Sequence, residues 1–280
     1  MSAAGKWRRK KSRRPSGFSL DRPGLGLRRS YSRSVAGVGV VQVGVCALLF
    51  VALPWERWLL IMIPSWLWFA VAARWTRGQL ALVRPSERGR LYDRFLAANT
   101  MTLARLLAAP LLGLAVVFRG GTAFGQWTVF LLFIVCAATD MLDGWLARSR
   151  NQLSIFGRTY DHVTDIIFGT LVSMALWWSG LLPSWFFVLC MVRFLLPVFG
   201  GGWLYFQHVA WRIESSVMGK VTVSSLALLA LLYLLPDCLA DNSVMPDVIE
   251  GLLNFSAFLV GINLVYLIRR GVSILLNADT

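Results

Sequence analysis

Eight stretches of this 280-residue chain are apolar over roughly the length that a bilayer demands, and they fall near Val35–Leu53, Trp58–Ala73, Met101–Phe118, Trp127–Ala147, Tyr160–Trp178, Trp185–Tyr205, Val221–Leu235 and Leu252–Ile268. A helix needs about 20 apolar residues to cross a hydrocarbon core about 30 Å thick. No water reaches that core, so each segment must satisfy its backbone N–H and C=O groups within itself. The apolar share of the chain, 57%, exceeds the roughly 45–50% of soluble domains. The expected fold is all-α, a polytopic membrane helix bundle.

Lys and Arg number 28 against 14 Asp and Glu. They punctuate apolar runs instead of covering a polar surface, which argues against a nucleic-acid partner and for a lipid bilayer. Eleven of the basic residues lie in Met1–Ser34, among Pro, Gly and Ser. That composition predicts a disordered tail over residues 1–34, serving either to hold anionic lipid or only to orient the chain. It lacks the single short apolar stretch of a signal peptide, and no cleavage is expected. The tail, the loops bearing Arg74–Arg94, Arg148, Arg150 and Arg158, the segment around Arg212 and Lys220, and Arg269–Arg270 fall on one side, which predicts that both termini are cytoplasmic. Cys46, Cys136, Cys190 and Cys238 are scattered without the spacing of a disulfide framework or thiolate site. Over Pro85–Ala98, charged residues alternate with Leu91, Tyr92, Phe95 and Leu96 at helical spacing. This reads as an interfacial amphipathic helix or as a solvated linker, the helix being preferred.

A carboxylate within a membrane helix costs about 2.5–3.5 kcal/mol, so Asp140, Asp143, Asp161 and Asp165 demand a reason. They stand at the end of one predicted span and the start of the next. The first two are related by i,i+3 and the last two by i,i+4, so each pair shares a helix face. Four converging carboxylates repel one another unless cations intervene, and hard oxygen donors suit Mg²⁺, Mn²⁺ or Ca²⁺. Gly144, Ala147 and Gly157 leave room for a ligand near the backbone, and Arg148 offers a guanidinium fork for phosphate oxygens. Metal ions, an arginine and carboxylates together describe a diphosphate site.

Read in order, Asp140-x2-Asp143-Gly144-x2-Ala147-Arg148-x8-Gly157-x3-Asp161-x3-Asp165 places eight residues at fixed spacing. This string resembles the signature of the CDP-alcohol phosphatidyltransferase family. The resemblance covers roughly residues 86–270. It implies a six-helix catalytic core (residues 85–280 here) preceded by a two-span module (residues 35–84) and the basic tail. It further implies a CDP-linked donor, usually CDP-diacylglycerol, a two-metal site with Mg²⁺ or Mn²⁺, release of CMP on attack by an alcohol acceptor, and a homodimer in a bacterial plasma membrane. By the same resemblance Asp140, Asp143 and Asp161 hold metal, while Asp165 contacts metal and acts as general base. Asn99, Thr102, Arg105 and Pro110 match the segment that borders the nucleotide in the family. Asn99 and Thr102 are then either cytidine-side contacts or a helix cap and a packing residue.

The acceptor is less constrained. Arg193 lies in an apolar span, where an unpaired charge is expensive, and it joins Arg212 and Lys220 as a candidate for binding a phosphorylated acceptor. Arg212 and Lys220 read equally well as charges that set orientation. Gly219-Lys220 looks like the matching segment of phosphatidylglycerophosphate synthases, which favours glycerol 3-phosphate, with inositol phosphate, inositol, serine or choline as alternatives. Two other classes remain in play, a cation transporter and an inactive membrane scaffold. The first explains the acids but not the Gly, Ala and Arg of the string, and the intact string argues against the second. His162 points about 100° away from Asp161 and reads as a packing residue.

Overall fold

A computed structural model describes residues 23–85, 90–119, 122–150, 152–206, 217–239 and 244–278, and they form a helical bundle. The helices are α1 (Leu25–Ala52), α2 (Trp55–Gly78), α3 (Ala97–Phe118), α4 (Ala123–Ser149), α5 (Ile155–Trp178), α6 (Ser184–Phe206), α7 (Val217–Tyr233) and α8 (Met245–Ala278), with one 3-10 turn at Leu80–Leu82. Six of them, α1, α2, α3, α4, α6 and α8, are long and apolar enough to cross a membrane. The first turns of α5 carry Arg158, Asp161, His162 and Asp165, and this polar end keeps its mean apolarity down. At 17 residues, α7 is shorter than the others.

Helix α3 lies at the centre, packed most extensively on α5 and then on α4 and α2. Its burial runs around the whole circumference: Leu103, Leu106, Leu107, Leu111, Leu112, Ala115 and Val116 are all buried. A helix apolar all round belongs inside a bundle. Pro110 interrupts the α3 ladder, because it has no N–H to offer the carbonyl of Leu106 four residues earlier. The indole Nε1 of Trp68 on α2 donates to that carbonyl at 2.8 Å, so a neighbouring helix supplies the missing bond. Far from the acidic residues, Gln126 at the start of α4 clasps Asp237 beyond α7, through Nε2 to Oδ2 at 2.6 Å and from the Asp237 N–H to Oε1 at 3.0 Å.

Two expectations from sequence are corrected. Helix α1 starts at Leu25, so the part of the expected disordered tail that falls on Leu25–Ser34 is helix. Its Leu27 and Tyr31 are buried one turn apart while Arg28, Arg29 and Arg33 face outward. The Tyr31 hydroxyl donates to the Ala73 carbonyl at 2.6 Å and lies 2.7 Å from Thr76 Oγ1. Residues 1–22 of that tail lie outside the described residues. The expected interfacial helix over Pro85–Ala98 does not form in residues 90–96, which are irregular; residues 86–89 lie outside the described residues. The backbone there bonds to other elements instead of itself: the Tyr92 N–H donates to Val83 O at 2.9 Å and the Phe95 N–H to Ser30 Oγ at 3.2 Å. Phe95 and Leu96 are buried, so the apolar spacing reflects anchoring into the bundle and not a face laid on lipid.

Candidate active site

The acidic end of α4 and the first turns of α5 meet against α3. Ser154 caps α5, its Oγ accepting from the Gly157 N–H at 2.9 Å, and the same hydroxyl donates to Asn99 Oδ1 at 2.8 Å. One serine thereby starts α5 and ties it to the first turn of α3. A Cβ on Gly157 would lie 2.8 Å from Asn99 Oδ1 and 3.2 Å from Ser154 Oγ, so glycine is what lets the helices approach at this point. The ring of Phe156 stacks on Tyr160 at 4.3 Å and meets Phe95 edge-on at 5.2 Å, while Phe95 meets Tyr31 at 5.3 Å. A continuous aromatic row thus runs from α1 to the turn of α5 that bears Asp161.

The two helices bring the carboxylates together. One oxygen from each of Asp140, Asp161 and Asp165 lies within 4.8 Å of the others. Their side chains are 44%, 41% and 40% exposed, enough for a ligand to reach them. Asp143 is set apart and deeper, 7% exposed, and accepts a hydrogen bond from Thr102 Oγ1 at 2.9 Å. Thr102 therefore reaches the site through Asp143. Asn99 is buried, and its Nδ2 has no hydrogen-bond partner among the described residues.

Arg105 is the residue whose role the sequence did not disclose. Its guanidinium is 4% exposed and enters the cluster from α3, with Nη1 on Asp140 and Nη2 donating to Asp161 Oδ1 at 2.9 Å. The same Nη2 lies 3.5 Å from Asp143 and 3.6 Å from Asp165. One cation touches four carboxylates and leaves a formal surplus of negative charge. The signal was present, since an arginine inside an apolar span carries the same cost that singled out the aspartates. Ser154 was also findable, as a serine three residues before Gly157 at a helix start.

The remaining candidates spread outward. The guanidinium of Arg148 folds back over Gly144, where a Cβ would come within 3.3 Å of its Nη1; the space at Gly144 is taken by this side chain. Arg193 on α6 stands over the Phe194 ring at 5.2 Å and donates to the Gly219 carbonyl at 3.4 Å. Lys220 is exposed, and Arg212 lies outside the described residues. All four cysteines are free; Cys46 and Cys190 are buried, Cys136 is half-buried and Cys238 is exposed, so Cys238 is not a core residue. Three clustered carboxylates beside a fourth are a hard oxygen donor set, and they fit Mg²⁺ or Mn²⁺ better than a soft metal.

Comparison with known proteins agrees with this geometry. The family model described as CDP-alcohol phosphatidyltransferase matches residues 95–266. A cardiolipin synthase (CMP-forming) of Streptomyces coelicolor is 33% identical over 105 residues, 36% of this chain and 48% of the relative. A CDP-diacylglycerol–glycerol-3-phosphate 3-phosphatidyltransferase of Cereibacter sphaeroides is 44% identical over 68 residues, 24% of this chain and 30% of the relative. A protein named probable phosphatidylglycerophosphate synthase, from Mycobacterium tuberculosis, is 31% identical over 127 residues, 43% of this chain and 60% of the relative. The chain thus spans between 30% and 60% of the length of these relatives.

Proposed function

Since this chain belongs to the CDP-alcohol phosphatidyltransferase family, we propose that it is a membrane enzyme of phospholipid synthesis that moves a phosphatidyl group from CDP-diacylglycerol to an alcohol with release of CMP. The observation that carries this reading is the convergence of Asp140, Asp161 and Asp165 oxygens within 4.8 Å, at the joint between α4 and α5 where the eight-residue string falls. Asp140, Asp143, Asp161 and Asp165 would hold two divalent ions, Mg²⁺ or Mn²⁺. Bound there, such ions supply charge neutralisation of the diphosphate and of the leaving CMP.

The protein's own groups do the rest. Asp165 accepts the proton of the acceptor hydroxyl as it attacks the lipid-side phosphorus. Arg148 pairs with phosphate oxygens, Gly144 giving its side chain room at the helix surface. Asn99 presents its unpartnered Nδ2 toward the nucleotide, while Thr102 serves the nucleotide side by fixing Asp143. Arg193, Arg212 and Lys220 favour a phosphorylated acceptor, with glycerol 3-phosphate preferred; two of the relatives above carry a name for that chemistry. The site and both termini face the cytoplasm of a bacterial plasma membrane, and the enzyme works as a homodimer.

CMP release from CDP-diacylglycerol by purified protein, with Mg²⁺ or Mn²⁺ and a panel of alcohols, tests the proposal. Metal-dependent release with one acceptor, reduced about 100-fold or more in Asp165→Asn, is the expected result. Folded protein that releases no CMP with any acceptor overturns it.

A further inference from the structure

Arg105 occupies an unusual place for a cation. It is fixed by burial, its side chain 4% exposed against carboxylates of which Asp140, Asp161 and Asp165 are 40–44% exposed. The neighbouring Leu103, Leu106 and Leu107 of α3 are buried to 1% or less, so the arginine has no easy exit to water. Its donors engage oxygens of all four carboxylates, three of which supply the most closely clustered oxygens of the site. A divalent ion arriving on those carboxylates meets a standing positive charge and must share lone pairs that N–H groups already use. In a low-dielectric setting that repulsion is poorly screened. A diphosphate brings the negative charge that offsets it.

From this charge balance we infer that Arg105 is a fixed counter-charge that keeps divalent-metal affinity low until a nucleotide diphosphate arrives, so that metal and donor load together. The inference rests on the metal reading proposed above. Linkage then requires each ligand to raise the affinity for the other by the same factor. Arg105 is a positioning residue in this scheme, acting through the carboxylates and the charge of the site.

The test is Mn²⁺ binding, followed by the paramagnetic resonance of free Mn²⁺, to the full chain in lipid nanodiscs with and without CDP. Wild type binds Mn²⁺ weakly alone and more tightly with CDP. Arg105→Gln, confirmed folded by its helical circular dichroism, binds Mn²⁺ alone about tenfold more tightly and gains less from CDP. Arg105→Lys keeps the charge and stays near wild type. Unchanged or weaker Mn²⁺ binding by folded R105Q overturns the inference, and so does R105K behaving like R105Q, which would assign the effect to lost hydrogen bonds. Should R105Q not fold, wild-type Mn²⁺ affinity that CDP leaves unchanged overturns the linkage by itself. Wild type that binds no Mn²⁺ with or without CDP fails the metal reading itself, a distinct result.

Discussion

Thr102 and Gly157 show how single positions set the geometry around the carboxylates. The Thr102 hydroxyl donates to Asp143, a carboxylate 7% exposed, and valine there keeps the shape but leaves Asp143 short of a donor. Thr102→Val is expected to raise the Mg²⁺ or Mn²⁺ concentration needed for half-maximal CMP release by about tenfold or more, since groups that orient metal ligands carry that much affinity. Metal titration of the activity checks it, and an unchanged half-maximal concentration refutes it. Gly157→Ala pushes a methyl against Asn99 Oδ1, which Ser154 holds in place. Overpacking of this kind costs about 1–3 kcal/mol, so apparent Tm should fall. Asn99→Ala in the same chain should return part of that loss, and a strictly additive double variant would mean the two residues do not clash. The four aspartates are legible in the sequence because charge inside an apolar run is conspicuous. Thr102 and Ser154 are less so, because a hydroxyl in or before a helix has many ordinary uses and only the fold says which carboxylate or amide it meets.

At the scale of elements, the α1–α2 hairpin is built into the bundle that carries the carboxylates. Trp68 closes the carbonyl that Pro110 orphans in α3, and Tyr31 opens the aromatic row that ends beside Asp161. Trp68→Phe removes the indole donor together with part of the ring and should lower stability by at least the roughly 1–3 kcal/mol that an unpaired polar group away from water costs. Pro110→Ala restores an N–H to α3, so adding it to Trp68→Phe should recover apparent Tm; no recovery would mean that Leu106 O is satisfied some other way. The spans are readable because little besides a bilayer selects for continuous apolarity of that length. The start of α1 is hidden, since Leu27 and Tyr31 sit among arginines whose charge dominates the local composition. Residues 90–96 mislead for the opposite reason: buried anchors such as Phe95 imitate a helical stripe, but the partners of the backbone are distant in sequence.

For the whole molecule, the decisive quantity is which end of the bundle faces which compartment. The clasp between Gln126 and Asp237 lies near the start of α4, and Asp140 lies 14 residues further along the same helix. At 1.5 Å per residue the two points are about 20 Å apart, most of a hydrocarbon core. Cys238, exposed beside Asp237, therefore marks the face opposite the carboxylates. The orientation proposed above puts the carboxylate end in the cytoplasm, on the ground that basic loops resist translocation. A membrane-impermeant maleimide should then label wild type in intact spheroplasts, and Cys238→Ser should abolish that labelling, Cys46 and Cys190 being buried and the half-buried Cys136 lying inside apolar α4, four residues before Asp140. A cysteine placed at Arg94, exposed just before α3, should react in the Cys238→Ser background only after the membrane is opened. Labelling in the reverse pattern would put the site outside, away from a nucleotide-linked donor made in the cytoplasm, and would count against the proposed reaction as well as the orientation. The two positions make the result independent of yield, because each serves as the permeability control for the other.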